Sequence, residues 1–208
     1  MKAKTKVASL LAAMTITAAG TALAEGPQWT YVHGGYQRGD SYGNDGKNNT
    51  WDVGGSYGFM DMWHVQADYA NTEIRNGSTG DNIDGGFDQW SITAGANPHV
   101  NDSTDIVLDV RYGSLSPDNS DFSDADLWSV GAGVDSLFTD KLELHVIAYW
   151  TNWNANDSSL VQGESVTGTM GGRYHWTENF SSDINWTIGS SDFGGNTLGA
   201  DFRYAFKL

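Results

Sequence analysis

Apolar and polar residues alternate along most of this chain with a period of two, the pattern of β-strands with one greasy and one polar face. The last segment shows it most plainly. Over residues 196–208, Leu198, Ala200, Phe202, Tyr204, Phe206 and Leu208 share one face, and Thr197, Gly199, Asp201, Arg203, Ala205 and Lys207 share the other. The same reading predicts nine earlier strands, over residues 28–38, 50–59, 63–73, 88–97, 104–113, 127–136, 141–152, 165–175 and 180–189. In the fifth, Ile106, Leu108, Val110 and Tyr112 oppose Asp105, Asp109 and Arg111; in the seventh, Leu142, Leu144, Val146, Ala148 and Trp150 oppose Glu143, His145 and Tyr149. Ten strands is therefore the count expected, with eight as the alternative if residues 165–189 are misread.

The segments between strands alternate in length. Long polar stretches over 39–48, 75–86, 114–126 and 153–164 take turns with short ones over 60–62, 98–103 and 137–140. That asymmetry predicts an all-β, antiparallel, up-and-down barrel with long loops at one rim and tight turns at the other. The aromatics agree. Trp51, Trp90 and Trp128 each open a strand in the order Trp, polar, β-branched, and Trp150 falls near the same rim. Phe59, Trp63, Phe138, Tyr174, Trp176 and Phe180 gather around the short turns. Two aromatic girdles are what membrane interfaces favour, because amphipathic rings settle there. The alternative is a periplasmic β-sandwich, since alternation does not say whether the apolar face meets lipid or a second sheet.

Composition sharpens this picture at three points. Residues 1–24 carry Lys2, Lys4 and Lys6, an apolar run over 7–19 and the small-residue sequence Ala22-Leu23-Ala24, which reads as a secretory signal peptide ahead of a barrel domain over 25–208. Past that segment no apolar run approaches the roughly 20 residues of a membrane helix, so a membrane protein of this sequence crosses as strands. A mean hydropathy of −0.43 beside nine tryptophans suits a wall in which every second residue is polar. Loss of three lysines with no acidic residue takes the formal charge from −15 to −18, which argues against nucleic acid or anionic lipid as partner. The absence of cysteine excludes disulfides and thiolate zinc sites.

The closing strand carries Thr197, Gly199, Phe202 and Tyr204 in a polar, Gly, aromatic, aromatic order, with Leu208 where a terminal Phe is usual. It resembles the closing strand of bacterial outer-membrane β-barrels, and the whole architecture is similar to the small OmpA/OmpX-like and opacity-type barrels. The resemblance implies an outer-membrane location reached through the periplasm, recognition by the barrel-assembly machinery, contact with outer-membrane lipid and lipopolysaccharide, and a monomer. It implies a structural or surface-interaction role toward an unidentified surface ligand, and it carries over no catalytic residue.

Chemistry is sparse in this sequence. Barrel proteases and lipid-A-modifying barrel enzymes place a His with a carboxylate or Ser at a defined rim. Here His99 and His175 fall at short turns, while His33, His64 and His145 face the inside. His145 and Glu143, two apart on one strand face, read as a polar network rather than an acid–base pair. Asp118, Asp121, Asp124 and Asp126 form the densest acidic cluster; they read as a solvated loop, with a weak divalent-cation contact as the alternative, because the glycine and terminal Glu of a calcium loop are missing. No catalytic residue, cofactor or other metal site is expected. The interior is the remaining candidate. Asp52, Asp68, Asp105, Asp109, Asp135, Glu143, Asp183 and Asp201 face Arg111, Arg173, Arg203 and Lys207 there. Buried charges must be paired or hydrated, so each cation is expected to bridge two carboxylates above inner glycines such as Gly54, Gly131, Gly133, Gly171 and Gly199. The reading is a barrel whose lumen is largely filled by this polar network. A narrow cation-preferring channel is the alternative, and a lipid-A-modifying enzyme is the third.

Overall fold

The computed structural model describes residues 29–40, 47–75, 85–118, 123–155, 163–189 and 196–206. The predicted signal peptide, Asp121, Lys207 and Leu208, the middles of the four long connections and residues 190–195 lie outside the described residues. Among the described residues eleven strands follow in order: β1 Tyr31–Asp40, β2 Lys47–Phe59, β3 Trp63–Arg75, β4 Gly85–Ala96, β5 His99–Asn101, β6 Thr104–Pro117, β7 Ala125–Thr139, β8 Leu142–Ala155, β9 Gly163–His175, β10 Phe180–Gly189 and β11 Thr197–Ala205. Ten of them form the wall. β5 is a three-residue strand inside a short turn, paired to the base of β6.

Each wall strand pairs antiparallel with its neighbour in sequence, and β1 closes the ring by pairing with β11 over Tyr31↔Ala205 to Gly39↔Thr197. Closure is staggered. Stepping across the pairings from Tyr31 leads through Ser56, Gln66, Thr93, Arg111, Ser129 and Thr151 to Ser165 on β9. Ten residues down β9, at His175, the steps run through Ser181 and Arg203 to His33, two residues above the start. The stagger is thus twelve residues, which tilts ten strands by about 40°.

Burial runs opposite to a soluble protein. Among the described residues the buried apolar side chains are Ala67, Val107, Ala125, Leu127 and Ala205, whereas the buried polar or charged ones number nineteen. Leu108, Val110, Tyr112, Val146, Ile184 and Phe202 stand exposed on the outside. Soluble sandwiches bury their apolar faces, so this inversion removes the sandwich alternative and leaves a lipid-facing wall. Its aromatic ends are visible as ring contacts: Trp128 meets Trp150 at 4.7 Å and Trp51 meets Tyr69 at 5.5 Å near the long loops, while Tyr174 meets Trp176 at 4.8 Å near the short turns.

The strands outrun their predicted ends at the long-loop rim. β2 starts at Lys47, β4 at Gly85, β6 runs to Pro117 and β8 to Ala155. Alternation fades there because both faces are polar, yet the backbone still pairs, as Asn49↔Glu73 and Asn71↔Asp88 do. Side chains knit the rim together: Asn71 Nδ2 donates to Asp88 at 2.8 Å, Trp51 Nε1 to Asn71 at 3.0 Å and Tyr36 Oη to Asn49 at 2.8 Å. The opposite correction holds at the chain ends. β1 begins at Tyr31 rather than residue 28, and β11 ends at Ala205 rather than 208, where the Phe206 N–H reaches the Thr30 carbonyl at 2.9 Å.

Candidate functional site

The inward positions of all ten strands make one continuous polar interior, and it is the candidate site. Its floor lies at the short-turn end. Trp29, just before β1, stacks on His64 of β3 at 4.9 Å, and its indole N–H donates to Asp105 of β6 at 3.0 Å. The indole therefore spans from the first wall strand toward the fifth. His64 is buried, with Nε2 3.3 Å from Asp109 and Nδ1 2.8 Å from the Asn97 amide. His99, exposed in the turn, lies 2.6 Å from the fully buried Asp105. That hydrogen bond pushes the His99 imidazole above its ordinary value, against the smaller opposing pull of desolvation.

Beside this floor, Arg173 of β9 donates to Glu143 of β8 and stands 3.9 Å from Asp135, and His175 Nε2 bonds the second Glu143 oxygen at 2.9 Å. Higher up, Tyr149 Oη donates to Asp109 at 2.6 Å, and Arg111 lies over the Tyr149 ring at 4.6 Å while donating to Thr93. Arg203 lies over Tyr31 at 3.7 Å, Tyr31 Oη donates to Gln66 at 3.0 Å, and the Gln66 amide donates to both oxygens of Asp68. His33 sits between carboxylates, 3.0 Å from Asp68 and 3.5 Å from Asp52. His145 is 3.5 Å from Asp183, and Asn185 Nδ2 donates to Asp183 and Asp201.

All ten interior residues singled out in the sequence, Asp52, Asp68, Asp109, Arg111, Glu143, His145, Arg173, Asp183, Asp201 and Arg203, thus face the lumen. Their partners differ from expectation in two ways. Glu143 and His145 do not pair with each other; residues two apart on a strand point the same way but lie nearly 7 Å apart along it, and each finds a nearer partner on the adjacent or next strand. Bridging by arginine holds for Arg173 alone among the described residues, whereas Arg111 and Arg203 rest on phenol rings, a weakly hydrated guanidinium's favourable alternative. Histidines supply the carboxylate partners instead. The glycines do make room: Gly54 lies beneath His33 and Asp68, Gly131 beneath Tyr149, Gly171 beneath His145 and Gly199 beneath Asn185.

Parity already puts Tyr31 and Tyr149 on the inner face; their stacking under Arg203 and Arg111, and the lumen role of Trp29, are what the sequence reading missed. The parity of Trp29 with Tyr31 and His33 was the available signal, since an indole on the polar face has no lipid to meet. Of the acidic loop, Asp118, Asp124 and Asp126 are described, while Asp121 lies outside the described residues, and with it the cluster as a whole. Metal-ligating atoms do converge elsewhere: those of His33, Asp52 and Asp201 lie within 4.8 Å of one another.

A family profile described as "Outer membrane protein beta-barrel domain" matches residues 8–149. No curated relative matches the chain. Among solved structures, the translocator domain of the autotransporter NalP from Neisseria meningitidis is 13% identical over 99% of this chain and 96% of its own, with a TM-score of 0.52. The β-domain of the Bordetella autotransporter Brka is 10% identical over 86% of this chain and 100% of its own, at 0.51, and the NanC porin 11% identical over the same shares, at 0.50. These likenesses concern the fold.

Proposed function

Since this chain belongs to the outer-membrane protein β-barrel domain family, we propose that it is a structural or surface-interaction barrel of the outer membrane, with a filled lumen and no enzymatic chemistry. The observation that carries the reading is Trp29. Its ring stacks on His64 and bonds Asp105 from the far side of the short-turn mouth, which places a large rigid side chain across the path. Above it the stacked pairs Arg203 with Tyr31 and Arg111 with Tyr149 occupy the middle of a barrel only slightly wider than the eight-stranded kind that side chains fill. Partners in this reading are outer-membrane lipid and lipopolysaccharide around the wall, the barrel-assembly machinery during insertion and a surface ligand at the long loops, with the barrel itself a monomer.

A narrow cation-preferring channel is the second reading, favoured by eight lumen carboxylates against three described arginines. Planar-bilayer recording separates the two. The filled barrel gives no current or small cation-selective steps, and Arg173→Ala with Arg203→Ala raises cation conductance in whatever fraction still folds. Large, weakly selective currents from the unmutated protein overturn the proposal. Lipid-A mass spectra that change on deletion of the protein would overturn its non-enzymatic part.

A further inference from the structure

We propose that the closure seam of the barrel binds one divalent transition-metal ion of the zinc class, through His33 Nδ1 and the carboxylates of Asp52 and Asp201. The three residues come from β1, β2 and β11, so the site lies where the two ends of the barrel meet. Gly35 pairs with Asp52 on one side and with Asp201 on the other. No side chain separates the two acids there, because a Cβ on Gly35 would strike the Asp201 carboxylate and come within 3.0 Å of Asp52 Oδ1. His33 lies two residues below on the same face, and the three ligand atoms fall within 4.8 Å of one another. Small side-chain rotations bring such a set to the 2.0–2.2 Å bonds of zinc, with a fourth position left to water.

A second feature points the same way independently of that spacing. A histidine ligand commonly donates its other ring N–H to a carboxylate that fixes its tautomer. His33 Nε2 is 3.0 Å from Asp68 Oδ1 and Nδ1 is 3.5 Å from Asp52 Oδ2, so with the proton on Nε2 the nitrogen nearer Asp52 is the one free to bind an ion. Asp68 is itself fixed by both hydrogen bonds from Gln66, and Gln66 by Tyr31. The support is built before any ligand arrives.

A third feature is unmet charge. Asp183, 5% exposed, stands opposite Asp201 in register, and its Oδ2 has no hydrogen bond, only His145 at 3.5 Å; Asp52 Oδ1 is buried and without a hydrogen bond. Asp183 and Asp201 share a single amide, that of Asn185. Like charges directly opposite on paired strands destabilise a sheet, and Arg203, the nearest lumen arginine in sequence, rests on Tyr31 instead. A divalent ion supplies the missing charge. One imidazole with carboxylates suits zinc and its first-row neighbours, whereas calcium and magnesium prefer all-oxygen shells. An ion here ties β11 to β1 and β2, so it binds the closed barrel and not the open chain.

The test uses the full-length barrel folded in detergent, stripped with EDTA and titrated with zinc chloride, with calcium chloride in parallel. The readouts are bound zinc per chain and the temperature at which heat-modifiable gel mobility is lost. Expected are one zinc per barrel and a rise in that temperature of about 5 °C or more, with no rise from calcium. Asp201→Asn is expected to raise the metal-free temperature, by relieving repulsion, and to abolish the zinc response; His33→Gln is expected to abolish the response as well. No zinc binding by the unmutated barrel, an equal response to calcium, or a zinc response surviving in both variants overturns the proposal.

Discussion

Glu143 on β8 and Arg173 on β9 face each other in register, and the same carboxylate takes a 2.9 Å hydrogen bond from His175 Nε2. Glu143 is fully buried, so its charge depends on these two partners. Removing one member of a buried pair strands the other, at a cost of about 3–5 kcal/mol. Arg173→Met is expected to lose that much in denaturant unfolding from lipid bilayers. The double variant with Glu143→Gln is expected to lose clearly less than the sum of the two singles. Additive losses would mean that the pair contributes nothing as a pair.

The lipid face makes a depth-dependent prediction. Leu108 is 46% exposed near the middle of β6, and its outward neighbours are Ile106 and Val110. Leu108→Arg is expected to cost about 2–4 kcal/mol of unfolding free energy in a bilayer. Thr187→Ser on the inner face keeps the hydroxyl that bonds Thr169 at 2.8 Å and is expected to change little. Similar losses from the two would contradict the facing of these strands.

His99 gives a pH signature outside the membrane. Its imidazole is held above the ordinary 6.5 by Asp105, so the folded state binds the proton more tightly than the unfolded chain. The resulting stability is fully present below the unfolded value and is lost as pH rises through the folded one. The stability difference between the unmutated barrel and His99→Ala is therefore expected to be largest near pH 5.5 and to shrink toward pH 9. A difference that stays flat across that range would remove the charged bond from the account.

The turn between β2 and β3 holds Met60 and Asp61 at positive φ, 52° and 61°. Asp tolerates that region through local hydrogen bonding, but Met has no such compensation and its side chain is 79% exposed. Met60→Gly is expected to raise stability by about 1 kcal/mol, measured as the unfolding midpoint in urea. A loss of stability would show that the side chain contributes more than its backbone strain costs.

Period-two alternation made the ten wall strands legible, because between Leu142 and Trp150, for instance, every residue but the inward Ile147 declares its face by polarity. It also named the lumen residues, since Asp109 or Arg173 on that face has nowhere else to go. Alternation is silent where both faces are polar, which is why Asn48 and Gly86 read as loop although they pair with Ile74 and Glu73. Pairing partners inside were less legible than positions. Which carboxylate His145 meets is decided by the stagger between β8, β9 and β10, and a single strand's pattern carries no record of its neighbour's offset. Trp29 was lost for a related reason: it falls inside the predicted strand on the inner parity, but that pattern carries no record of Asp105, its partner four wall strands away.

Nine of the ten pairings in the wall join segments adjacent in sequence; the tenth, β1 with β11, joins Tyr31 to Ala205. Hairpins can form as soon as their two strands exist, but this last pairing must wait for the C-terminal strand and closes a loop of nearly the whole chain, at an entropic cost that grows with the logarithm of its length. Until then β1 and β11 each present a row of unpaired N–H and C=O groups, which hydrocarbon does not satisfy and a second unfolded copy does. The vulnerable period of this protein's life is therefore the interval between making the first strand and docking the last. In that interval a second copy competes for the same two edges, a hazard that grows with concentration.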